Sequence, residues 1–254
     1  MATTPAPMPT PAPMAESQAT ISPFGRVIGV LFSPKPTFED IARKPSWILP
    51  VILLAVLGAV VAVGLNQKMN WREYVSQQIE KSPRASQLSA EQKEKQIEVG
   101  AKFAPLSAYI FGIPAPVLIV LILAGILLGG YNLFAGANVN YTTALGVVSH
   151  AFVPVIIGNI LFLVVLFLKP PGTLDLDNPV ATNLAAFLPE GTPKWLEALG
   201  KNVDIFVIWI TLLIAIGFAA ASPKKLKGGK SFTIAFGLLA VWVICRMGFA
   251  FIFS

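Results

Sequence analysis

The chain has one cysteine, Cys245, and one histidine, His150, in 254 residues. One of each leaves no disulfide framework, no Cys/His zinc cluster and no Cys–His nucleophilic pair. Charge is scarce as well. Only 13% of residues are Asp, Glu, Lys or Arg while 55% are hydrophobic, against about 25% charged in an average soluble chain. Residues 103–168 contain none of the four charged types, and mean hydropathy is +0.70. Such a run cannot form a water-facing surface, so the composition excludes an ordinary soluble enzyme and specifies an integral membrane protein. H-E-x-x-H, G-x-S-x-G and the P-loop pattern are all missing, and no acidic pair lies inside an apolar run. With nothing to activate water or a nucleophile, no enzymatic activity and no cofactor are expected. No nucleic-acid motif is present either.

Residues 1–22 are rich in Pro, Ala, Thr and Met, with prolines at 5, 7, 9, 11 and 13. They lack the positive start and apolar core of a signal peptide, and alternating proline favours extended chain, so a disordered tail is expected. Residues 23–254 are expected to form the membrane domain. Between Pro23 and Pro45, Phe24, Val27, Ile28, Leu31 and Phe32 recur at helical spacing ahead of Phe38 and Ile41. Arg26, Lys35, Arg43 and Lys44 flank them. Two short amphipathic segments with basic edges suit the headgroup region, where apolar side chains dip in and cations meet anionic lipid. The alternative is a short helix packed on the membrane domain.

The fold class read from the sequence is all-α, a bundle of five transmembrane helices preceded by this interfacial segment. The spans fall near 47–65, 106–136, 142–168, 205–222 and 232–254, each able to cross a hydrocarbon core that needs about 20 helical residues. The second and third separate at Ala137-Asn138-Val139-Asn140, and Pro114, Pro116 and Pro154 are where bending has a cause. Five spans place the termini on opposite sides. With the amino terminus in the cytoplasm, eight basic residues lie inside and ten outside. The densest cluster, Lys224, Lys225, Lys227 and Lys230, is then in a short inner loop, which favours N-in and C-out. Lys224, Lys225 and Lys227 join Arg26, Lys35, Arg43 and Lys44 as expected headgroup contacts. In the first outer loop, Ser89 and Gln92 have the spacing of a capping box at the start of a solvated helix. In the second, Asp175 and Asp177 lack the glycine and glutamate of a calcium loop, so turn duty is expected. Residues 181–188 and 195–199 read as short apolar helices on the outer surface.

Arg246 is the one basic residue inside a predicted span, and Asp204 stands at the mouth of the preceding one. In a hairpin of spans four and five they share a leaflet, so Arg246 is expected either to pair with Asp204 inside the membrane or to snorkel to the interface without a partner, with a substrate or proton role as the alternative. His150, with Asn159 nearby, is the candidate for a polar path, but one histidine without an intramembrane carboxylate makes a poor proton relay, so a hydrogen-bonded packing residue is the favoured expectation. Gly125 and Gly129 form a GxxxG pattern that allows close helix packing, within the bundle or in a homodimer.

FSPKPTFEDIARKPSWILP at 32–50 and NVDIFVIWITLLIAIGFAAASPKK at 202–225 resemble the Yip (Ypt-interacting) membrane domain family in its bacterial branch. The sharpest part is the pattern Asp204, Phe206, Trp209, Leu213, Gly217. The resemblance implies a cytosolic amino-terminal region and five helices in a bacterial cytoplasmic membrane. Eukaryotic members bind prenylated Rab-type GTPases, but their DLYGP-like and GYG motifs are absent here, so that activity does not carry over. The expectation is an adaptor or organiser that holds protein partners or lipids. The alternative is a small transporter or channel with Arg246 and His150 on a polar path.

Overall fold

The computed structural model describes residues 21–82, 85–170, 173–176, 178–189 and 191–252. The tail up to residue 20, expected to be disordered, and Asp177, expected to serve a turn, lie outside them. Apart from an isolated bridge pairing Asn183 with Asp204, the ordered elements among the described residues are helical.

Two short helices, α1 (Pro23–Phe32) and α2 (Pro34–Arg43), form a hairpin across one end of the bundle. Ser22 caps α1 with its hydroxyl, and each helix begins with a proline, whose missing N–H has no partner to lose in a first turn. Then α3 (Ile48–Lys68) runs away from this end, which is termed proximal. At the distal end α4 (Trp71–Lys81) pairs with the first half of α5 (Ala90–Gly112). The expected capping box is present: Ser89 N–H donates to Gln92 Oε1 at 2.9 Å and Gln92 N–H to Ser89 Oγ at 3.2 Å. The helix it starts does not stop at the beginning of the expected second span. It continues through Pro105 to Gly112, where Pro114 begins α6 (Pro114–Ala135). The expected second span is therefore two helices broken at Ile113.

The third span bends where proline dictates. Between α7 (Tyr141–Ala151) and α8 (Pro154–Leu168), Val153, Val155 and Ile156 donate to carbonyls three residues back, because Pro154 cannot continue the four-residue ladder. Pro116 causes no break, since it lies in the first turn of α6. A distal helix, α9 (Lys194–Asn202), packs along the last span, and a 3-10 turn at Leu184–Phe187 precedes it. The chain returns through α10 (Ile205–Ala221) and ends with α11 (Lys230–Ile252).

Four elements are long and apolar enough to cross a membrane: α3, α6, α7 with α8, and α11. The fifth expected span, α10, has 17 residues, or about 25 Å at helical rise, short of a hydrocarbon core of about 30 Å. Its proximal half is packed against α2.

Helix packing departs from expectation in one respect. A Cβ added at Gly125 or Gly129 meets nothing within 4 Å. The inward side of α6 carries Val120, Ala124, Leu127 and Tyr131 instead. The closest backbone approach involving glycine is between α3 and α5, where a Cβ on Gly58 would sit 1.9 Å from the Gly112 carbonyl oxygen. Gly130, next to the GxxxG pair, faces Leu238 of α11, which would lie 2.7 Å from a Cβ added there. Gly58→Leu must push two backbones apart, and overpacking of this kind costs about 1–3 kcal/mol or more. Gly129→Leu meets open space. Thermal unfolding in detergent is expected to show a large loss for the first variant and little change for the second; equal losses would refute this packing.

Candidate functional site

The proximal end concentrates the polar chemistry of the molecule. Arg26, only 3% exposed, turns inward from α1 onto Asp40 of α2, which is fully buried. Its Nε and one terminal nitrogen each lie 3.0 Å from Asp40 Oδ2. The other terminal nitrogen donates to the Lys44 carbonyl at 2.9 Å and to Ser46 Oγ at 2.6 Å. Asp40 also accepts from the Ile21 N–H at 3.4 Å and faces Arg43 at 3.7 Å. Arg26 thus corrects the expectation of a headgroup contact: it is a buried donor whose fork is used by α2 and the segment leading to α3. The neighbours on its face, Val27 and Val30, are buried with it, whereas Phe24, Ile28 and Phe32 face outward at 65%, 60% and 81% exposure.

The second helix of the hairpin is seated in the core. Phe38 and Ile41 have no exposure, and glycines make room for them. The Phe38 ring lies 3.0 Å from where a Cβ of Gly217 on α10 would be, and Ile41 3.2 Å from one on Gly146 of α7. The two helices of this region are used differently. α2 is the helix packed on the membrane domain, and α1 presents the outward apolar stripe.

A second polar knot, which the sequence reading missed, joins α6, α10 and α11 beside the hairpin. Tyr131 donates to the Ser231 carbonyl at 2.8 Å, and Ser231 Oγ lies 2.6 Å from the Ala215 carbonyl. The Tyr131 ring stacks on Phe218 at 4.0 Å between centroids. Ser222 Oγ donates to the Ala137 carbonyl at 2.8 Å, tying the end of α10 to the loop after α6. A tyrosine and serines next to apolar runs were the available signal, because a buried hydroxyl needs a partner.

The intramembrane candidates are not brought together. Asp204 caps α10, accepting from Phe206 N–H at 2.8 Å and Val207 N–H at 3.2 Å, and takes the Thr182 hydroxyl at 2.5 Å. No ion pair joins it to Arg246, which is exposed on α11. The expected pair is replaced by a helix cap, the use a carboxylate finds when it directly precedes a helix. His150 is 1% exposed, with Nδ1 2.8 Å from the Gly146 carbonyl. Asn159 is half-buried, nine residues further on and beyond the Pro154 break. No group of three His, Cys, Asp or Glu able to hold a metal occurs among the described residues.

The two ends differ in charge. The distal segments, 66–102 and 169–204, carry ten basic and ten acidic residues, and Arg72–Glu94 and Lys194–Glu197 are paired there. The proximal segments, 23–47 and 223–230, carry eight basic residues against Glu39 and Asp40. Lys35, Arg43, Lys44, Lys224, Lys225, Lys227 and Lys230 are exposed.

Residues 28–249 match the family model of the Yip1 domain. The chain belongs to the Yip1 domain family. No curated protein and no solved structure matches it. In this Yip1 domain the segment containing the Arg26–Asp40 pair overlaps the start of the family match, and the remaining proximal contacts lie well inside it.

Removing one partner of a buried ion pair leaves an uncompensated charge and costs about 3–5 kcal/mol. Asp40→Ala is therefore expected to lower the detergent melting temperature strongly, while Lys35→Ala, on the exposed surface, changes stability by less than about 0.5 kcal/mol. Melting temperatures that respond equally would show that Arg26 has no need of Asp40.

Proposed function

We propose that this Yip1-family protein is a non-enzymatic organiser of a membrane, working through its proximal end. The observation that supports this most directly is the division of labour within the α1–α2 hairpin. One helix is locked into the core by Phe38, Ile41 and the Asp40–Arg26 pair, and the other holds Phe24, Ile28 and Phe32 outward on a rigid support. A stripe at i, i+4 and i+8 on an anchored helix is a surface built for contact.

In this reading α10 is a fifth crossing. It is apolar and uncharged throughout, and its short length is made up at the proximal end by α2, which packs against its last turns. The basic proximal end then faces the cytoplasm and α11 ends outside, in the bacterial cytoplasmic membrane that the resemblance of segments 32–50 and 202–225 implies. Protein partners reach it through the amino-terminal region.

Topology tests the crossing number. In a Cys245→Ser background, Ser22→Cys is expected to react with a membrane-impermeant maleimide only after the membrane is opened from the cytoplasmic side, and Ile252→Cys in intact spheroplasts. Labelling of both from one side would leave four crossings and remove the organiser's opposed termini. The role itself is tested by in-cell crosslinking of the full-length protein. Phe24→Ser/Ile28→Ser/Phe32→Ser, all outward positions, is expected to keep the fold and, by freeing α1 from the membrane surface that presents the amino-terminal region, to weaken capture of the crosslinked partner. Solute or ion flux in proteoliposomes that is abolished by Arg246→Leu would instead make this a transporter.

A further inference from the structure

The proximal surface combines two features that meet in one kind of occupant. The apolar stripe of α1 and the exposed cations of residues 35–44 and 223–230 lie at one end of the bundle. The Lys44 carbonyl is held by Arg26, which places Lys44 directly beside α1. Leu226 is 4% exposed and belongs to the bundle core, and the 223–230 turn directly follows α10, whose Gly217 lies against Phe38 of α2, so the turn stands at the same end of the bundle as the hairpin. The Leu226 N–H donates to the Ser222 carbonyl at 3.0 Å, and Lys230 N–H to that of Lys227 at 3.2 Å. Gly228 and Gly229 adopt φ of +59° and +83°, left-handed values that side chains resist and that let the chain reverse into α11. The turn thus faces its one leucine inward and leaves four lysines exposed. Among the described residues, Lys35, Lys44 and the lysines of the turn have no carboxylate partner within ion-pair distance. The distal end, with as many acidic as basic residues, offers nothing comparable.

We propose that this proximal surface is a docking site for anionic phospholipid in the adjoining leaflet. Phe24, Ile28 and Phe32 enter the border of the acyl region, while Lys35, Lys44 and the lysines of the 223–230 turn hold the phosphate groups around them. A soluble protein partner would leave the three large apolar side chains needing a groove, whereas a leaflet covers them without one. The uncompensated positive charge selects anionic over zwitterionic lipid, since each Lys or Arg near such a surface gains about 1 kcal/mol. Because α2 is locked in the core, α1 lies at a fixed depth instead of binding and leaving as a free amphipathic helix does. This inference rests on the organiser reading and supplies its ligand.

The test uses the full-length Cys245→Ser protein carrying Ile28→Cys labelled with bimane, reconstituted in bilayers that contain either brominated phosphatidylglycerol or brominated phosphatidylcholine as quencher. Stronger quenching by the anionic lipid at equal mole fraction is expected. Lys224→Gln/Lys225→Gln/Lys227→Gln, all at exposed positions, is expected to reduce that preference by up to about fivefold per lysine, and high salt to reduce it likewise. Quenching by both lipids equally, unaltered by the triple variant, would overturn the charge selection. A label quenched by neither would overturn leaflet docking altogether and point to a protein cover. Flux measured in the same proteoliposomes separates the two readings: flux with intact anionic preference sinks the organiser and spares the lipid site.

Discussion

A guanidinium and a carboxylate with almost no solvent contact lie 3.0 Å apart where α1 crosses α2. In surroundings of low dielectric neither charge is tolerable alone, and their attraction offsets desolvation only because the geometry is good and the remaining donors of Arg26 are used by Ser46 and the Lys44 carbonyl. The pair therefore does more than join two helices. It fixes the hairpin angle, ties the hairpin to the segment that begins α3, and directs Phe38 and Ile41 into the bundle. The outward position of the α1 stripe follows from the same contact, since a helix that turns Arg26, Val27 and Val30 inward must turn Phe24, Ile28 and Phe32 outward.

Room for the hairpin is made by residues without side chains. Gly217 accepts Phe38 and Gly146 accepts Ile41, so α2 sits against two spans at close range. Hydrophobic burial gives little drive for helix association in lipid, whose tails are as apolar as leucine. Close van der Waals contact and a few hydrogen bonds must do the work. The hydroxyls of Tyr131, Ser222 and Ser231 provide such bonds, each reaching a carbonyl on another element or on the loop after α6. The proximal end is thus held by polar groups inside apolar packing, and the α3–α5 contact by close backbone approach at Gly58 and Gly112 together with a side-chain hydrogen bond from Asn66.

What could be read in the sequence was whatever depends on local chemistry. The apolar runs, the capping box at Ser89 and Gln92, and the breaks before Pro114 and Pro154 each follow from a few adjacent residues. Sidedness was hidden. A soluble helix shows its inner face by contrast with a polar outer one, but α6 is apolar all round, so nothing in the sequence separates Gly125 and Gly129, which face outward, from Gly130, which faces Leu238. Arg26 was hidden for a related reason: next to lysines it reads as one more surface cation, and its partner lies 14 residues away in another helix. Asp204 suggests a pair with Arg246 because charge in a membrane invites pairing, yet the free N–H groups of α10 are nearer.

The continuity of α5 has a mechanical consequence. Its 23 residues make a rod of about 35 Å that begins at a solvent-exposed cap and ends against the middle of α3. Proline at 105 removes one rung of the ladder, and there the Asn66 amide reaches across from α3 to the Pro105 carbonyl at 3.3 Å, bracing the rod at its weakest point. No linker separates the distal α4–α5 hairpin from the bundle interior. Torque applied to that hairpin is delivered, lever-fashion, to the touching backbones of Gly58 and Gly112, and the first joint able to absorb it is Ile113.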